Sequence, residues 1–356
     1  MNEIFKDLKI VELASVLAGP AVGLFFSELG ASVTKIENKN TNGDVTRSWK
    51  LPSEDQESLS SAYYQSTNWN KKTLFLDLKE REDHEAVLKL IREADIVISN
   101  YKQGSVKKLK LDFESLKDLN DRLIYAEISS YGDDDTRPGF DVVMQAQTGW
   151  ISMTGSSDNE AAKLPVALID VLTAHQLKEG ILIALLRRDE IKKAQKVSVS
   201  LYDTSIASLA NQASNYLNAS FIPQRMGTKH PNIAPYGDIV KTADDKEIIL
   251  SIGTQQQFIN LARSLNSSSL IENELFKNNN KRVENRTILI EELVQLFKLF
   301  TYDVISEAMT KNEVPFSPIH NLKEVFAEPM AQRLVYKSME DGKEVKRVKS
   351  VVFKLS

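Results

Sequence analysis

Cysteine is absent from this 356-residue chain. That excludes disulfides, thiolate chemistry and cysteine-bound metal, and it suits a reducing compartment. An excess of basic residues is also missing. The net charge is −4, which argues against nucleic acid as the main partner. Long apolar runs are lacking too. The longest, such as Ile181–Leu186, fall far short of a membrane span. The first residues, MNEIFKDLKIVEL, include acids and contain no apolar stretch with a small-residue cleavage site. The expectation is a cytoplasmic protein without a membrane partner. Nucleotide-binding and serine-hydrolase signatures are missing as well. There is no P-loop and no G-x-S-x-G, and in LAGPAVG, Leu17 stands where the first glycine of a G-x-G-x-x-G would be. Gly19 and Gly23 remain as points where a ligand or another backbone could approach closely. The four histidines, His84, His175, His230 and His320, lack metal-ligand spacing. No metal or redox cofactor is expected.

What is present is an ordinary globular composition, 42% hydrophobic and 26% charged, in a chain long enough for about two domains. Over the first 200 residues strand and helix patterns alternate. Strands are expected at Leu8–Leu13, Ala31–Glu37, Thr73–Asp77, Asp95–Ser99, Leu123–Ile128 and Val197–Leu201. Helices are expected at Pro20–Leu29, Glu82–Ala94 and along Leu164–Arg188. Such alternation predicts an α/β fold with a parallel sheet covered on both faces. The texture changes at Arg225–Tyr236, a linker containing Pro and Gly. A strand (Glu247–Ile252) and amphipathic helices (Gln257–Leu265, Glu284–Phe300, Asp303–Thr310) follow, suggesting a smaller α+β domain. Pro315 and Pro318 break the chain, and Asn321 is placed to cap the next helix. The tail from Arg333 reads as one or two strands. The expected division is 1–222 large domain, 223–236 linker, 237–328 small domain and 329–356 a return segment to the large domain.

The most informative residue is Asp170, a lone acid in the run LPVALIDVLTAHQ. A carboxylate at the mouth of a buried helix is costly unless compensated, and a helix N-terminus can compensate it. On that reading it stays ionised and poorly hydrated, which suits either a helix cap or a nucleophile. His175 lies five residues on, on another helix face. Basic residues recur at strand ends (Lys71, Lys72, Lys79, Lys102, Lys107, Lys108), where the ligand crevice of an open parallel sheet lies. Each of these is also an ordinary surface lysine, as Asp133–Asp135 is an ordinary solvated acid run.

Ten phrases in order resemble the class III coenzyme A transferases, the family of formyl- and carnitine-type CoA-transferases and α-methylacyl-CoA racemases. They are LKIVELASVLAGP, LGASVTKIE, GDVTRSW, NWNKKTLFLDLK, ADIVISNYKQG, LIYAEISSYG with RPGFD, LIDVLTAHQLKEGILIALLRR, VSVSLYD, RMGTKHPNIAPYG and VPFSPIHNLKEVFAEP, spanning about residues 7–335. The resemblance implies a Rossmann-like large domain, a small domain, and a homodimer of two interlocked ring-like chains. It places the family's nucleophilic aspartate on Asp170 and so favours catalysis over capping. It places CoA contacts at Val16, Leu17, Ala18, Asn38, Leu76, Lys79, Asn100, Tyr101, Lys102, Lys108, Pro138, Gly139, Phe140 and Asp141. The chain departs from the family at Asn38, often arginine, and at Leu17 and Phe140, which are glutamine and tyrosine in formyl/oxalate-type enzymes. It also departs at Ile252–Gln256, where those enzymes have a glycine-rich loop. Racemases carry histidine at position 140 and glutamate near Gln255, so their proton-transfer pair is missing. Relatives also continue past the final FKLS.

The implied partners are acyl-CoA and a small carboxylic acid. The implied reaction is CoA transfer through an aspartyl mixed anhydride and an aspartyl–CoA thioester. Because the anhydride hydrolyses readily, a dry pocket is needed, and Leu17, Phe140 and Met144 are the residues expected to line it. A racemase and a non-catalytic acyl-CoA-binding protein are the rival readings. The apolar residues at 17 and 140 lead to the expectation of monocarboxylic, largely apolar acyl groups over oxalate or formate.

Overall fold

The computed structural model describes residues 3–354 apart from Asp134, Thr136, Asn159 and Asp341. The middle acid of the Asp133–Asp135 run and the last two residues of FKLS therefore lie outside the described residues. The chain forms two compact units. The first joins residues 1–151, 163–222 and 333–356, and the second joins 152–162 and 223–332.

The first unit is built on six strands: β1 (Lys9–Leu13), β2 (Ser32–Asn38), β3 (Lys72–Leu76), β4 (Ile96–Ser99), β5 (Ile124–Ser129) and β6 (Gln195–Ser200). All neighbours run parallel, in the order β3-β2-β1-β4-β5-β6. This is the doubly wound, Rossmann-type order, and each strand lies within two residues of its sequence-based expectation. The strands read as nearly continuous apolar runs because both faces are covered. Helices α1 (Ala18–Glu28) and, much later in the chain, Leu168–Ile191 pack with Ile10, Val33, Ile96, Ile98 and Ile124 on one face. Helix α2 (Arg81–Arg92) and α3 (Gln103–Lys108) pack with Val11, Leu13, Ile36, Val97 and Tyr125 on the other. Strand order reverses between β1 and β4, so the loops leaving these two strands diverge and open a crevice at their carboxyl ends.

One break in the apolar pattern organises this region. Glu12 and Lys35 are fully buried and occupy paired positions on β1 and β2. The Lys35 ammonium lies 3.1 Å from Glu12 and 3.0 Å from Asp44, and Lys71 lies 2.8 Å from Glu12. Two acids thus balance two lysines, and further donations from Lys35 to Ala14 O (2.6 Å) and from Lys71 to Pro20 O (2.8 Å) complete the set. Burial still pushes the Lys71 ammonium down to about 8, against the opposing pull of Glu12. The two glycines of α1 acquire their reason here. A Cβ on Gly23 would overlap the Glu12 carboxylate, and one on Gly19 would overlap the Ala14 methyl. The close approach they permit is by the protein's own side chains.

A hairpin of β10 (Val335–Glu340) and β11 (Lys343–Val348) also belongs to the first unit. It is fixed by an ion pair between Arg347 and Glu28, by Trp69 stacked on Tyr336 at 5.1 Å, and by the Arg347 guanidinium 4.4 Å from the Trp69 ring.

The second unit contains an antiparallel sheet in the order β7 (Tyr236–Lys241), β8 (Glu247–Ser251), β9 (Phe316–Pro318). Its core joins Ile248, Leu250, Phe258, Leu289, Phe297 and Ile305. The two prolines expected only to break the chain flank or end an edge strand, a position proline tolerates because its missing N–H is not needed there. The 225–236 stretch is pinned, since Arg286 donates to the carbonyls of His230 (2.8 Å) and Ile233. Asn321 caps its helix as expected, in a capping box with Glu324. Among the described residues no helix is long and apolar enough to cross a membrane.

Breaking a buried charge network from one side leaves an uncompensated ion. Glu12→Gln should therefore destabilise the protein by about 3–5 kcal/mol, read as a lowered urea midpoint. A midpoint within experimental error of the parent would show that the network carries no such constraint.

Candidate active site

The crevice is shaped by the turn after β1. Val16 lies at φ +69°, a conformation a β-branched residue rarely adopts. Side chains from two other loops hold it. Asn100, just past β4, accepts from Ser15 N at 3.0 Å and donates to Ser15 O at 2.8 Å. Asp44 accepts from Val16 N at 3.2 and 3.3 Å. Asp44 belongs to the phrase GDVTR. Gly43 makes the turn at φ +90°, Asp44 N donates to Glu37 at 2.9 Å, and Arg47 pairs with Glu37 at 2.6 Å. Asp44 and Arg47 escaped the sequence reading. The signal was a glycine, an acid and a base close together in a quoted phrase to which no role had been given.

A cleft of about 720 Å³ lies beside this turn. Val16, Leu17 and Ala18 line it from the β1 side, Asn100, Tyr101 and Lys102 from β4, Lys108 from α3, and Pro138, Gly139 and Phe140 from the segment after β5. Asp170 lies on its wall. A second cavity, of about 400 Å³, takes Asn38, Leu76 and Lys79 and shares Ser15, Val45, Tyr101, Lys102 and Ser105 with the first. A third, of about 560 Å³, is bordered by Lys79, Arg81, His84, Lys108 and Lys110. Of these, Arg81, His84 and Lys110 were not foreseen. Neither Lys102 nor Lys108 has an ion-pair partner among the described residues, so both are free to meet anions. The Asn38 side chain is engaged locally, accepting from Asn40 N at 2.9 Å.

Three of the expected site residues behave differently. Met144 is fully buried in the core beneath Gly139 and does not border the cleft, because its helix, α4 (Asp141–Gln147), turns that face inward. Phe140 does border the cleft but is 60% exposed. Asp141 is buried and does not line the cleft. Its carboxylate instead accepts from Ile169 N at 2.7 Å and Asp170 N at 3.3 Å, and also from the Gln145 side chain. Gln145 in turn accepts from Leu164 N at 2.8 Å.

This arrangement decides the state of Asp170, the third residue of α5 (Leu168–Ile191). The helix N-terminal N–H groups that were expected to compensate Asp170 are taken by Asp141. Asp170 is therefore not the cap. Among the described residues no donor reaches its carboxylate. Burial, with the Asp141 charge nearby, pushes the Asp170 carboxyl up to about 7. The expectation of a permanently ionised group is corrected: near neutral pH it exchanges between acid and carboxylate. Burial, with Asp170, Asp141 and Asp44 around it, also raises the half-buried Tyr63 hydroxyl, another residue the sequence reading missed.

In the second unit, Gln255 stands where racemases carry an acid. Its side chain accepts from Arg282 at 2.7 Å, and Arg282 is itself buried against the Phe258 ring.

Comparison with known proteins gives a consistent picture. The family model described as CoA-transferase family III matches residues 5–356. The chain is 37% identical over 335 residues to a succinate–glutarate CoA-transferase of Agrobacterium fabrum, covering 91% of this chain and 82% of that protein. It is 32% identical to the human succinyl-CoA:glutarate CoA-transferase, covering 92% and 75%. A crystal structure of a CaiB/BaiF family protein from Brucella suis superposes with a TM-score of 0.85 at 36% identity, covering 99% of this chain and 93% of that one.

If Asp141 raises the Asp170 carboxyl by its charge, Asp141→Asn should move the Asp170 titration midpoint below 7. NMR of the labelled side-chain carboxyl, with Asp170→Asn to assign the signal, reads this directly. The same change disturbs the pairing with Gln145 and should cost about 1–2 kcal/mol of stability. An unmoved midpoint would leave burial as the sole cause.

Proposed function

The chain belongs to CoA-transferase family III, and from that we propose that it moves CoA from an acyl-CoA to a free carboxylic acid with Asp170 as the nucleophile. The observation that carries this reading is the Asp170 carboxylate itself. It is buried on the cleft wall, without a hydrogen-bond donor among the described residues, and more basic than an ordinary aspartate. Loss of stabilising donors leaves the ionised form a stronger nucleophile than a hydrated carboxylate.

In the proposed sequence the Asp170 oxygen attacks the thioester carbonyl. The C–S bond breaks and its electron pair leaves as CoA thiolate, giving a mixed anhydride. The thiolate then attacks the Asp170 side-chain carbonyl, expels the donor carboxylate and leaves an aspartyl–CoA thioester. The acceptor carboxylate attacks that carbonyl, releases thiolate again and forms a second anhydride, whose acyl carbon the thiolate takes. Asp170 returns as a carboxylate. No net proton moves, so the sequence of steps needs no general base. The unpaired cations Lys102 and Lys108, with Lys79, Arg81 and Lys110 beyond them, supply charge for the phosphates of CoA.

For substrates we propose a succinyl-type donor and a four- or five-carbon dicarboxylic acceptor. The support is the names of the relatives, which include transferases for glutarate and mesaconate, together with Lys102 and Lys108, cations on the cleft wall without an ion-pair partner among the described residues. This replaces the monocarboxylate expectation. The assembly proposed is a homodimer of interlocked chains. Supporting it, the first unit exposes Leu186 (84%), Leu217 (76%) and Val352 (65%), apolar side chains that a partner would cover.

Asp170→Asn should lower CoA transfer by 10³ or more, equivalent to about 4 kcal/mol, and should prevent hydroxylamine in the presence of acyl-CoA from labelling residue 170. In the parent, kcat/KM should rise with pH through about 7 as Asp170 ionises. The folded state holds this proton to higher pH than the unfolded chain. Asp170 ionisation therefore costs nothing below pH 4 and weakens the fold progressively up to about 7. Asp170→Asn should accordingly be the more stable protein at pH 8, by at most about 4 kcal/mol, and the gain should vanish near pH 4. Near-normal turnover in the variant would refute the nucleophile. CoA binding by the parent without transfer to any acid would favour a non-catalytic acyl-CoA-binding protein.

In competition, glutarate or succinate should be used at least about tenfold better than butyrate, judged by kcat/KM. Butyrate as the better acceptor would restore the apolar-pocket reading. In sedimentation at micromolar concentration the protein should run as a dimer, and a stable monomer would count against interlocking.

A further inference from the structure

Two polar side chains from separate loops, Asn100 and Asp44, are committed to the left-handed turn at Val16. Leu17 and Ala18 follow directly, and both border the cleft that contains Asp170. Their N–H groups have no hydrogen-bond partner among the described residues. The conformation of Val16 therefore sets where these peptide groups stand relative to the nucleophile.

Of the two clamps, Asp44 is the more heavily built. It is 5% exposed. Its Oδ1 accepts from Thr46 N at 3.0 Å and Thr46 Oγ1 at 2.8 Å, and Lys35 lies 3.0 Å from its Oδ2. Lys35 is itself shared with Glu12, whose other oxygen holds Lys71. Burial alone would raise the Asp44 carboxyl, but Lys35 and Thr46 outweigh it and hold it below the usual carboxylate range. A charged acceptor fixed in this way offers Val16 N a stronger bond than a neutral one. A left-handed valine costs on the order of what such a bond supplies.

We propose that Asp44 is a positioning residue for CoA transfer: anchored by Lys35 and Thr46, it holds Val16 in the left-handed turn that presents the Leu17 and Ala18 peptide groups to the Asp170 cleft. The proposal rests on Asp170 as the reacting group. Asp44 touches no reacting atom in it and acts through the backbone of Val16.

The test is a double-mutant cycle with Asp44→Asn and Val16→Gly. Glycine adopts positive φ without strain, so in the Val16→Gly background the turn no longer depends on Asp44. In the parent background Asp44→Asn should lower kcat about 10- to 100-fold, the scale of a small misplacement at a reacting centre. The Kd for acyl-CoA, measured by calorimetry because Asp44 also borders the second cavity, should change by less than about threefold. In the Val16→Gly background the same substitution should lower kcat by about threefold or less. A purely structural role would give equal effects in both backgrounds, and that result overturns the proposal. So does an intact kcat, or a rise in Kd that accounts for the whole loss. If Asp44→Asn does not fold, Asp44→Glu takes its place. It keeps the charge beside Lys35 but shifts the acceptor by one methylene, with the same outcomes expected. Hydroxylamine labelling of the parent is run alongside. Absence of label on Asp170 counts against the nucleophile, whereas a labelled Asp170 with equal effects in the two backgrounds counts against the positioning role alone.

Discussion

One helix N-terminus and two carboxylates compete at the centre of this protein. The first turn of the Leu168–Ile191 helix can satisfy one acid with its free N–H groups. Asp141 takes them from outside the helix. Asp170, inside the helix, is left buried with a like charge nearby. Its lack of donors follows from losing that competition, and its raised basicity comes first from burial and then from the Asp141 charge. The cap, Asp141, and the proposed nucleophile, Asp170, are adjacent in space but distinct, and the cap occupies the N–H groups that would otherwise stabilise the Asp170 carboxylate.

That arrangement is useful only if the opposite wall of the cleft is equally fixed. The doubly wound order brings the ends of β1 and β4 side by side with diverging loops, where the turn at Val16 forms part of the cleft wall. Two side chains brace it, Asn100 from the β4 loop and Asp44 from the loop after β2. Asp44 in turn hangs from the buried Lys35–Glu12–Lys71 chain, which runs beneath the sheet end. The shape of the cleft and the stability of the fold thus share residues in this region.

The sequence showed the six strands to within two residues, because two-sided burial writes continuous apolar runs, while the long helix expected along Leu164–Arg188 begins and ends a few residues later, at Leu168–Ile191. Asp170 stood out as a lone acid in such a run, and the family resemblance favoured nucleophile over cap. Asp141 could not be read correctly. Its partners are backbone N–H groups 28 and 29 residues away, and no local pattern announces such a bond. Met144 was misplaced for a related reason. An apolar residue beside a cleft and one beneath it look alike until the helix rotation is known. The three-residue strand β9 was hidden by its prolines, which mark edge strands as readily as loops. The GDVTR phrase was noticed only as a phrase, since Asp44 serves Val16, 28 residues away, and Arg47 serves Glu37, 10 residues away.

The seat of Glu12 beneath Gly23 has a consequence for how this sequence can drift. Positions 12, 23, 35, 44 and 71 form one linked set. The glycine gives the carboxylate room, the carboxylate balances two lysines, and one lysine anchors the acid that braces the turn. Any member exchanged alone meets either a clash or an unpaired buried ion. Replacements compatible with the fold must therefore arrive together, and descendants of this chain should keep the set whole or abandon it in concert, however freely the surrounding surface varies.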